Sequence, residues 1–296
     1  MTLMLLMNKA TFPVEQILYK VGQRVLIDSE VIVEAPVSLT VNGEIWFTLL
    51  CTPIDLEALA VGFLYNESLI RYFDEIDSVH VCSSGDNIDV WINHNVNKPE
   101  KWLRTSGCTG GITFVRTEIS TTSPSVLNLN DTHITPIQVN NFLDELLQTQ
   151  SLYREVGGVH TSALSDGNSI LASAEDIGRH NTLDKIAGHC LMEGINLTRR
   201  IIVTTGRISS EMLQKSSRLG ASVVISRTAA SSLSIQMAHA WGITLIGYAR
   251  RNQFRVYTHP ERIVTVENEV LVSSLNNLNT NPKKKDIQSS HRMDKS

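Results

Sequence analysis

At 296 residues, 42% of them apolar and 19% charged, the chain has an ordinary globular composition and enough length for one large core or two smaller ones. Its net charge of −4 and pI near 6.1 argue against a general nucleic-acid binder, so any anion site has to be local. Four widely spaced cysteines (Cys51, Cys82, Cys108, Cys190) form no paired motif, which fits reduced cytosolic thiols better than a disulfide framework.

The opening Met-Thr-Leu-Met-Leu-Leu-Met is apolar but has no basic n-region or cleavage site. No apolar run reaches the ~18 residues a membrane span needs, and the expectation is a cytoplasmic protein with no membrane contact. Short strands follow at Arg24 to Ile27, Val31 to Ala35, Val37 to Val41 and Ile45 to Leu50, with Asn42-Gly43 as a hairpin turn between the last two. Thr52-Pro53 reads as cap and first residue of a helix whose apolar face is Leu56, Leu59, Ala60, Phe63 and Leu64. Strands at Ser78 to Cys82 and Ile88 to Ile92 complete a small α+β domain over 1–105.

Residues 106–134 are rich in Thr, Ser, Gly and Asn and read as a flexible loop carrying Cys108. A helix from about Thr135 to Tyr153 comes next. From Gly157 strands and helices alternate: strands at Ser169 to Ala174, Arg200 to Thr205, Ser222 to Arg227 and Thr244 to Ala249, helices near Thr182 to Glu193, Ser210 to Leu219 and Ser231 to Ala240. This is the rhythm of a layered α/β domain, placed at 135–270. The Asn-, Lys- and Ser-rich tail at 275–296 has no apolar periodicity and reads as disordered.

Three places could carry chemistry. Cys108 stands in Arg104-Thr-Ser-Gly-Cys-Thr-Gly-Gly111, where little side-chain bulk can bury the thiol; a nearby cation such as Arg104 would make it a nucleophile. The strand-to-helix turns Thr204–Glu211 and Ser226–Ser232 place helix N-termini, with Arg207 and Arg227, where a phosphate could bind, although well-capped helices alone would look the same. Past the strand ending at Ala249, residues 250–262 hold four arginines against one acid, and Tyr248, Phe254 and Tyr257 add ring faces for a base or pterin. His160 and His180 sit in tight polar contexts. A zinc deaminase site is disfavoured, because His160 is followed by Thr161 and Ser162 and no Cys-x-x-Cys exists.

The runs Thr52–Leu64, Gly157-Gly-Val-His160, Glu175-Asp-Ile-Gly-Arg-His-Asn181, Thr205-Gly-Arg-Ile-Ser-Ser-Glu-Met212 and Tyr257-Thr-His-Pro-Glu-Arg262 together resemble the formate dehydrogenase accessory protein FdhD family, over roughly residues 15 to 267. The resemblance implies a cytoplasmic sulfur carrier, a sulfurtransferase that works as a homodimer. It would take sulfur from a cysteine desulfurase and pass it to the molybdenum cofactor, bis-molybdopterin guanine dinucleotide, before insertion into formate dehydrogenase. It implies a larger domain of three layers resembling cytidine deaminase without the zinc site, and no metal held by the protein itself. The sulfur-carrying cysteine falls on Cys108, and the segment that binds the guanine-nucleotide cofactor falls on Tyr248, Ala249, Arg250, Arg251, Asn252 and Gln253. His160, Arg179, His180 and Arg207 are further candidates for lining that site. Cys51, Cys82 and Cys190, with apolar neighbours, are expected to pack.

One departure matters. Many members carry Cys-x-x-Cys in the loop, whereas this chain has Gly111 in the second position, so no resolving thiol stands three residues from Cys108. A Cys108 persulfide remains open to it. The rival expectation is a non-catalytic chaperone for the nucleotide-tailed cofactor, with a zinc-free deaminase-like hydrolase as a distant third.

Overall fold

A computed structural model describes residues 9–98, 102–104, 112–114 and 132–265. Asn42-Gly43 does form the turn that its residues favour: both have positive φ (49° and 80°), linking Ala35–Val41 (β3) to Glu44–Cys51 (β4). The Asn42 side-chain oxygen also accepts from Ile92 N at 2.7 Å, fixing the turn to Asn87–Ile92 (β6). With Ile76–Val81 (β5) these strands make a four-stranded sheet in the order β4-β3-β6-β5, β3 and β6 parallel.

N-terminal to this sheet stands a hairpin of Thr11–Lys20 (β1) and Gln23–Ile32 (β2), paired along its whole length. The sequence suggests separate strands at Arg24 to Ile27 and Val31 to Ala35 and gives no sign of β1; the structure instead makes β2 one continuous strand that ends at Ile32, so the second expected strand spans the break before β3. The polar run Asp28-Ser29-Glu30 looks like a break but is ordinary for a ribbon with solvent on its faces.

The helix after β4 does not begin at Pro53. Thr52 is buried and used elsewhere: its N–H donates to Asp176 Oδ2 (3.1 Å) and its hydroxyl accepts from Ile177 N (3.1 Å). The helix Leu56–Asn66 (α1) starts after Asp55, which has a left-handed φ of 52°. It is buried nearly all round, having the four-stranded sheet on one side and Arg179–Met192 (α4) on the other. That crossing needs two glycines: a Cβ on Gly62 would lie 1.7 Å from Asp184 O, and one on Gly188 would lie 1.9 Å from Ala58 O.

Trp102–Arg104 (β7) and Ile112–Phe114 (β8) pair antiparallel, so Ile112–Phe114 is strand where a loop was expected. Cys108 and the tail 275–296 lie outside the described residues.

The expected helix over Thr135 to Tyr153 is two helices, Pro136–Thr149 (α2) and Leu152–Val156 (α3). Thr135 caps α2 in a capping box with Gln138. The break has a distant cause: the Glu175 carboxylate accepts from Leu152 N (2.7 Å), Tyr153 N (3.0 Å) and Ser151 Oγ (3.1 Å), capping a new helix.

The second sheet has six strands in the order β10-β9-β11-β12-β13-β14. They are His160–Ser165 (β9), Ile170–Asp176 (β10), Arg200–Thr204 (β11), Ala221–Ser226 (β12), Thr244–Arg250 (β13) and Gln253–Val256 (β14). β11, β12 and β13 are parallel to one another and the remaining pairings are antiparallel. β9 and β14 were not expected from sequence. Ile202, Val224 and Leu245 face α4, Ser210–Arg218 (α5) and Ser232–Ala240 (α6), while Ile201, Val203, Val223, Ile225 and Ile246 face α2. The chain is thus a mixed α/β fold with helices on both faces of its larger sheet.

Candidate functional site

Because β11, β12 and β13 are parallel, their carboxyl ends lie along one edge, and the helices α5 and α6 start there. The antiparallel β9 and β10 bring His160 and Asp176 to the same edge as a register pair, and α4 begins just beyond. Helix N-termini gathered this way offer free N–H groups and positive dipole ends to an anion. Ser209 and Ser231 cap α5 and α6, accepting from Met212 N (3.3 Å) and Ser234 N (3.2 Å).

A basic cluster occupies the β9–β11 end. His160 Nδ1 lies 3.4 Å from Thr205 Oγ1, and Thr205 is fixed by exchange with the Thr161 backbone (3.0 and 2.9 Å). Gly206 is required here: a Cβ would come within 2.9 Å of Arg179 Cβ, so only glycine lets the arginine stem pass. Burial holds the His160 pKa below its usual value, and the charges of Arg179, His180 and Arg207 lower it further. His180 is also held low, chiefly by burial, although Glu211 Oε2, 3.0 Å from its Nε2, opposes the shift. The positive charge here at neutral pH therefore belongs to the arginines. Four residues scattered from 160 to 207 are brought together, and Glu211, given no role from sequence, is the carboxylate that orients His180.

Backbone bonds carry the edge onward: Arg227 N donates to Thr204 O (3.1 Å), and Tyr248 N to Thr228 O (2.9 Å). The basic run then turns sharply. Arg250 pairs with Gln253 across Arg251-Asn252, and Asn252, with φ 65°, donates its N–H to Asn140 Oδ1 (3.2 Å). Tyr248, Arg250, Gln253, Phe254 and Arg255 line a cavity of ≈ 400 Å³. The Arg255 guanidinium lies 4.5 Å from the centre of the Tyr248 ring. Of the six expected cofactor-binding positions, Tyr248, Arg250 and Gln253 line this space. The Ala249 side chain is buried in the core beneath α2, and Arg251 and Asn252 form the exposed turn. Phe254 and Arg255 belong to the lining although they fall outside the expected six.

The cysteines divide by environment. Cys51 and Cys190 are buried, and burial pushes each thiol up to about 12, so neither is a nucleophile. Cys82 is not packed as expected: it is half-buried, donating to Asp86 Oδ1 (3.0 Å) and accepting from Asn87 N (3.2 Å). Cys108 falls between the paired strands β7 and β8, outside the described residues. Among the described residues no group of three or more His, Cys, Asp or Glu is placed to hold a metal, and no helix is long and apolar enough to cross a membrane.

Residues 32–264 match the family model described as the FdhD/NarQ family. The chain is 36% identical to the sulfur carrier protein FdhD of Bacillus subtilis over 83% of its own length and 94% of that protein's. It is 34% identical to the sulfur carrier protein FdhD of Staphylococcus aureus, covering 84% and 95% of the two chains. A solved structure from Desulfotalea psychrophila, described as a candidate formate dehydrogenase accessory protein, superposes with a TM-score of 0.71 at 27% identity, over 86% of this chain and 100% of that one.

Proposed function

Because the chain belongs to the FdhD/NarQ family, we propose that it is a sulfur carrier serving formate dehydrogenase, with Cys108 as the carrying residue. The observation that carries this reading is its likeness to sulfur carrier proteins along nearly their whole length. The cysteine environments support it, since burial removes Cys51 and Cys190 from consideration.

In the proposed reaction the Cys108 thiolate attacks the outer sulfur of a cysteine desulfurase persulfide. A new S–S bond forms on Cys108, the donor S–S bond breaks, and the donor cysteine leaves as its thiolate, with no net oxidation. Delivery to the molybdenum cofactor as sulfide takes two electrons. With Gly111 in place of a second loop cysteine, external thiols supply them: one attacks the inner sulfur of the Cys108 persulfide, forming a mixed disulfide as the outer sulfur leaves as sulfide, and a second reduces that mixed disulfide to restore Cys108. The cavity at Tyr248, Arg250 and Arg255 would take a guanine end of the cofactor, its volume suiting one nucleoside-sized portion rather than the whole cargo. The arginines around His160 would meet its phosphates.

The test is to incubate the protein with desulfurase and cysteine and map sulfur adducts by mass spectrometry. Added sulfur on Cys108, lost in Cys108→Ala and kept in Cys82→Ser, is the expected result; transfer undiminished in Cys108→Ala would sink the proposal. Gly111 favours one alternative, a chaperone that binds the cofactor without sulfur chemistry. That reading wins if Cys108→Ala still activates formate dehydrogenase.

A further inference from the structure

Between the basic cluster at His160 and the cavity at Tyr248 runs a row of fully buried hydroxyls: Ser162, Thr182, Thr204 and Ser226. Ser162 Oγ lies 2.6 Å from Thr182 Oγ1 and 2.8 Å from Thr204 Oγ1, and Thr182 Oγ1 donates to Arg179 O (2.7 Å). Thr204 Oγ1 accepts from Gly206 N (3.1 Å). Ser226 Oγ donates to Gly206 O (2.7 Å), accepts from Thr228 N (3.0 Å) and lies 3.1 Å from Thr228 Oγ1. Thr228 O accepts in turn from Tyr248 N (2.9 Å).

Ser226 is the joint in this row. A hydroxyl has one proton, and Ser226 gives its own to Gly206 O, so Thr228 Oγ1 is the donor in the contact between the two hydroxyls. Ser226 therefore holds two turns at once. One is the turn at Gly206, past which the Arg179 stem runs and from which Arg207 follows. The other is the turn at Thr228, which ties down Tyr248 at its positive φ. Ser226 ends β12, the strand between β11 and β13, and pairs with Thr204. The ends of β11 and β13 that flank it are about 10 Å apart, two strand spacings. The rest of β12 is buried and almost wholly apolar, so a polar residue with every bond used is not there to fill the core.

We propose that Ser226 is a positioning residue: by tying the Gly206 turn to the Thr228 turn, it holds the arginine cluster and the Tyr248 cavity at one separation, as a single site for a ligand with an aromatic ring at one end and phosphates at the other. This role rests on the reading of the edge as the seat of a guanine nucleotide end of the cofactor. Two subsites at a fixed spacing gain from a connected ligand what neither gains alone. Without the hydroxyl, Gly206 O loses that donor and Thr228 N that acceptor, and buried groups recover partners only by moving. Each subsite keeps its own side chains, so the loss falls on the joint grip of ring and phosphates.

The experiment is calorimetry of guanosine diphosphate and of guanosine on the full chain. Wild type should bind the diphosphate roughly tenfold or more tightly than the nucleoside. Ser226→Ala should cut that preference to about twofold or less, and Ser226→Cys, which keeps a weaker donor of similar size, should lie between. General loosening would weaken both ligands alike, so an unchanged preference in Ser226→Ala overturns the proposal. A second measurement needs no ligand. In amide NMR spectra Ser226→Ala should shift both Arg207 and Tyr248, and the His160 ring should titrate closer to 6.5 as Arg179 and Arg207 lose their places beside it. Shifts at only one of the two ends overturn the proposal as well. If Ser226→Ala does not fold, Ser226→Cys carries both measurements. A wild type without preference for the diphosphate sinks the nucleotide reading instead, and the spectra then decide the positioning role by themselves.

Discussion

Tyr248 holds a backbone φ of 50°, a conformation that bulky residues adopt only when their surroundings impose it. The surroundings are specific: its N–H is tied to Thr228 O, and a Cβ on its neighbour Gly247 would come within 2.6 Å of the Tyr257 ring. Arg255 then covers one face of the phenol ring, leaving it partly open to the cavity. If the cavity takes a nucleobase, Arg255→Ala should weaken binding of a guanine nucleotide by about 1 kcal/mol, roughly fivefold, read by calorimetry. Tyr248→Ala should weaken it further. His160 gives a pH prediction of definite sign. Its folded pKa lies below 6.5, so on acidification the unfolded chain takes up the proton first. Its contribution to stability is therefore full above 6.5 and is lost as pH falls toward the folded value. His189 behaves oppositely: the Asp55 hydrogen bond raises its pKa, and its contribution is full below 6.5 and lost at higher pH. Denaturant unfolding across this range should show less acid destabilisation in His160→Gln than in wild type.

At the scale of elements, the α1–α4 crossing is the feature most sensitive to a single methyl group. Gly62 and Gly188 each approach a backbone carbonyl of the other helix, and neither helix can yield without moving a sheet that packs on it. Gly62→Ala should cost roughly 2–3 kcal/mol through overpacking, measured as a lower denaturation midpoint. The same scale shows what is local and what is not. Thr135, Ser209 and Ser231 each cap a helix by accepting from the backbone N–H three residues on, a bond between near neighbours in the chain. Thr52 has the same local signature before α1 and does not cap, because Asp176 and Ile177 compete for its polar groups. The α2–α3 break likewise depends on Glu175, which no window around residue 150 contains.

For the whole molecule, buried polar groups join the four-stranded sheet and α1 to the six-stranded sheet. Lys185 and Asp176 are fully buried and 2.7 Å apart; Lys185 also donates to Thr52 O (3.1 Å) and Glu175 O (3.2 Å). Asp176 accepts in addition from Thr52 N, Gly178 N and Asn181 Nδ2, while that Asn181 amide reaches Leu50 O. A second pair, Lys215 and Asp184 at 2.6 Å, takes Asn66 of α1 into its network. Removing one partner strands a buried charge, so Lys185→Met should cost about 3–5 kcal/mol. Since the pair sits where the two sheets' elements meet, fluorescence and circular dichroism should report the loss in a single shared transition. The network also sets the candidate site, because Asp176 organises the turn leading into Arg179 and His180.

The sequence alone determined what depends on short spacing and on residue type: the Asn42-Gly43 turn, the alternation of strands and helices after residue 157, the basic run past β13, and the motifs that mark the family. It could also single out Cys108, because glycines and small hydroxyl residues leave a thiol little to pack against. Only the tertiary structure decided which residues meet. It put His160, Arg179, His180 and Arg207 in one cluster, made Arg255 a partner of Tyr248, buried Ala249, and placed Cys51 and Cys190 beyond use as thiolates. The reason is physical. Caps and turns are bonds between near neighbours in the chain, whereas burial, charge proximity and the cost of a methyl group are set by residues many positions away.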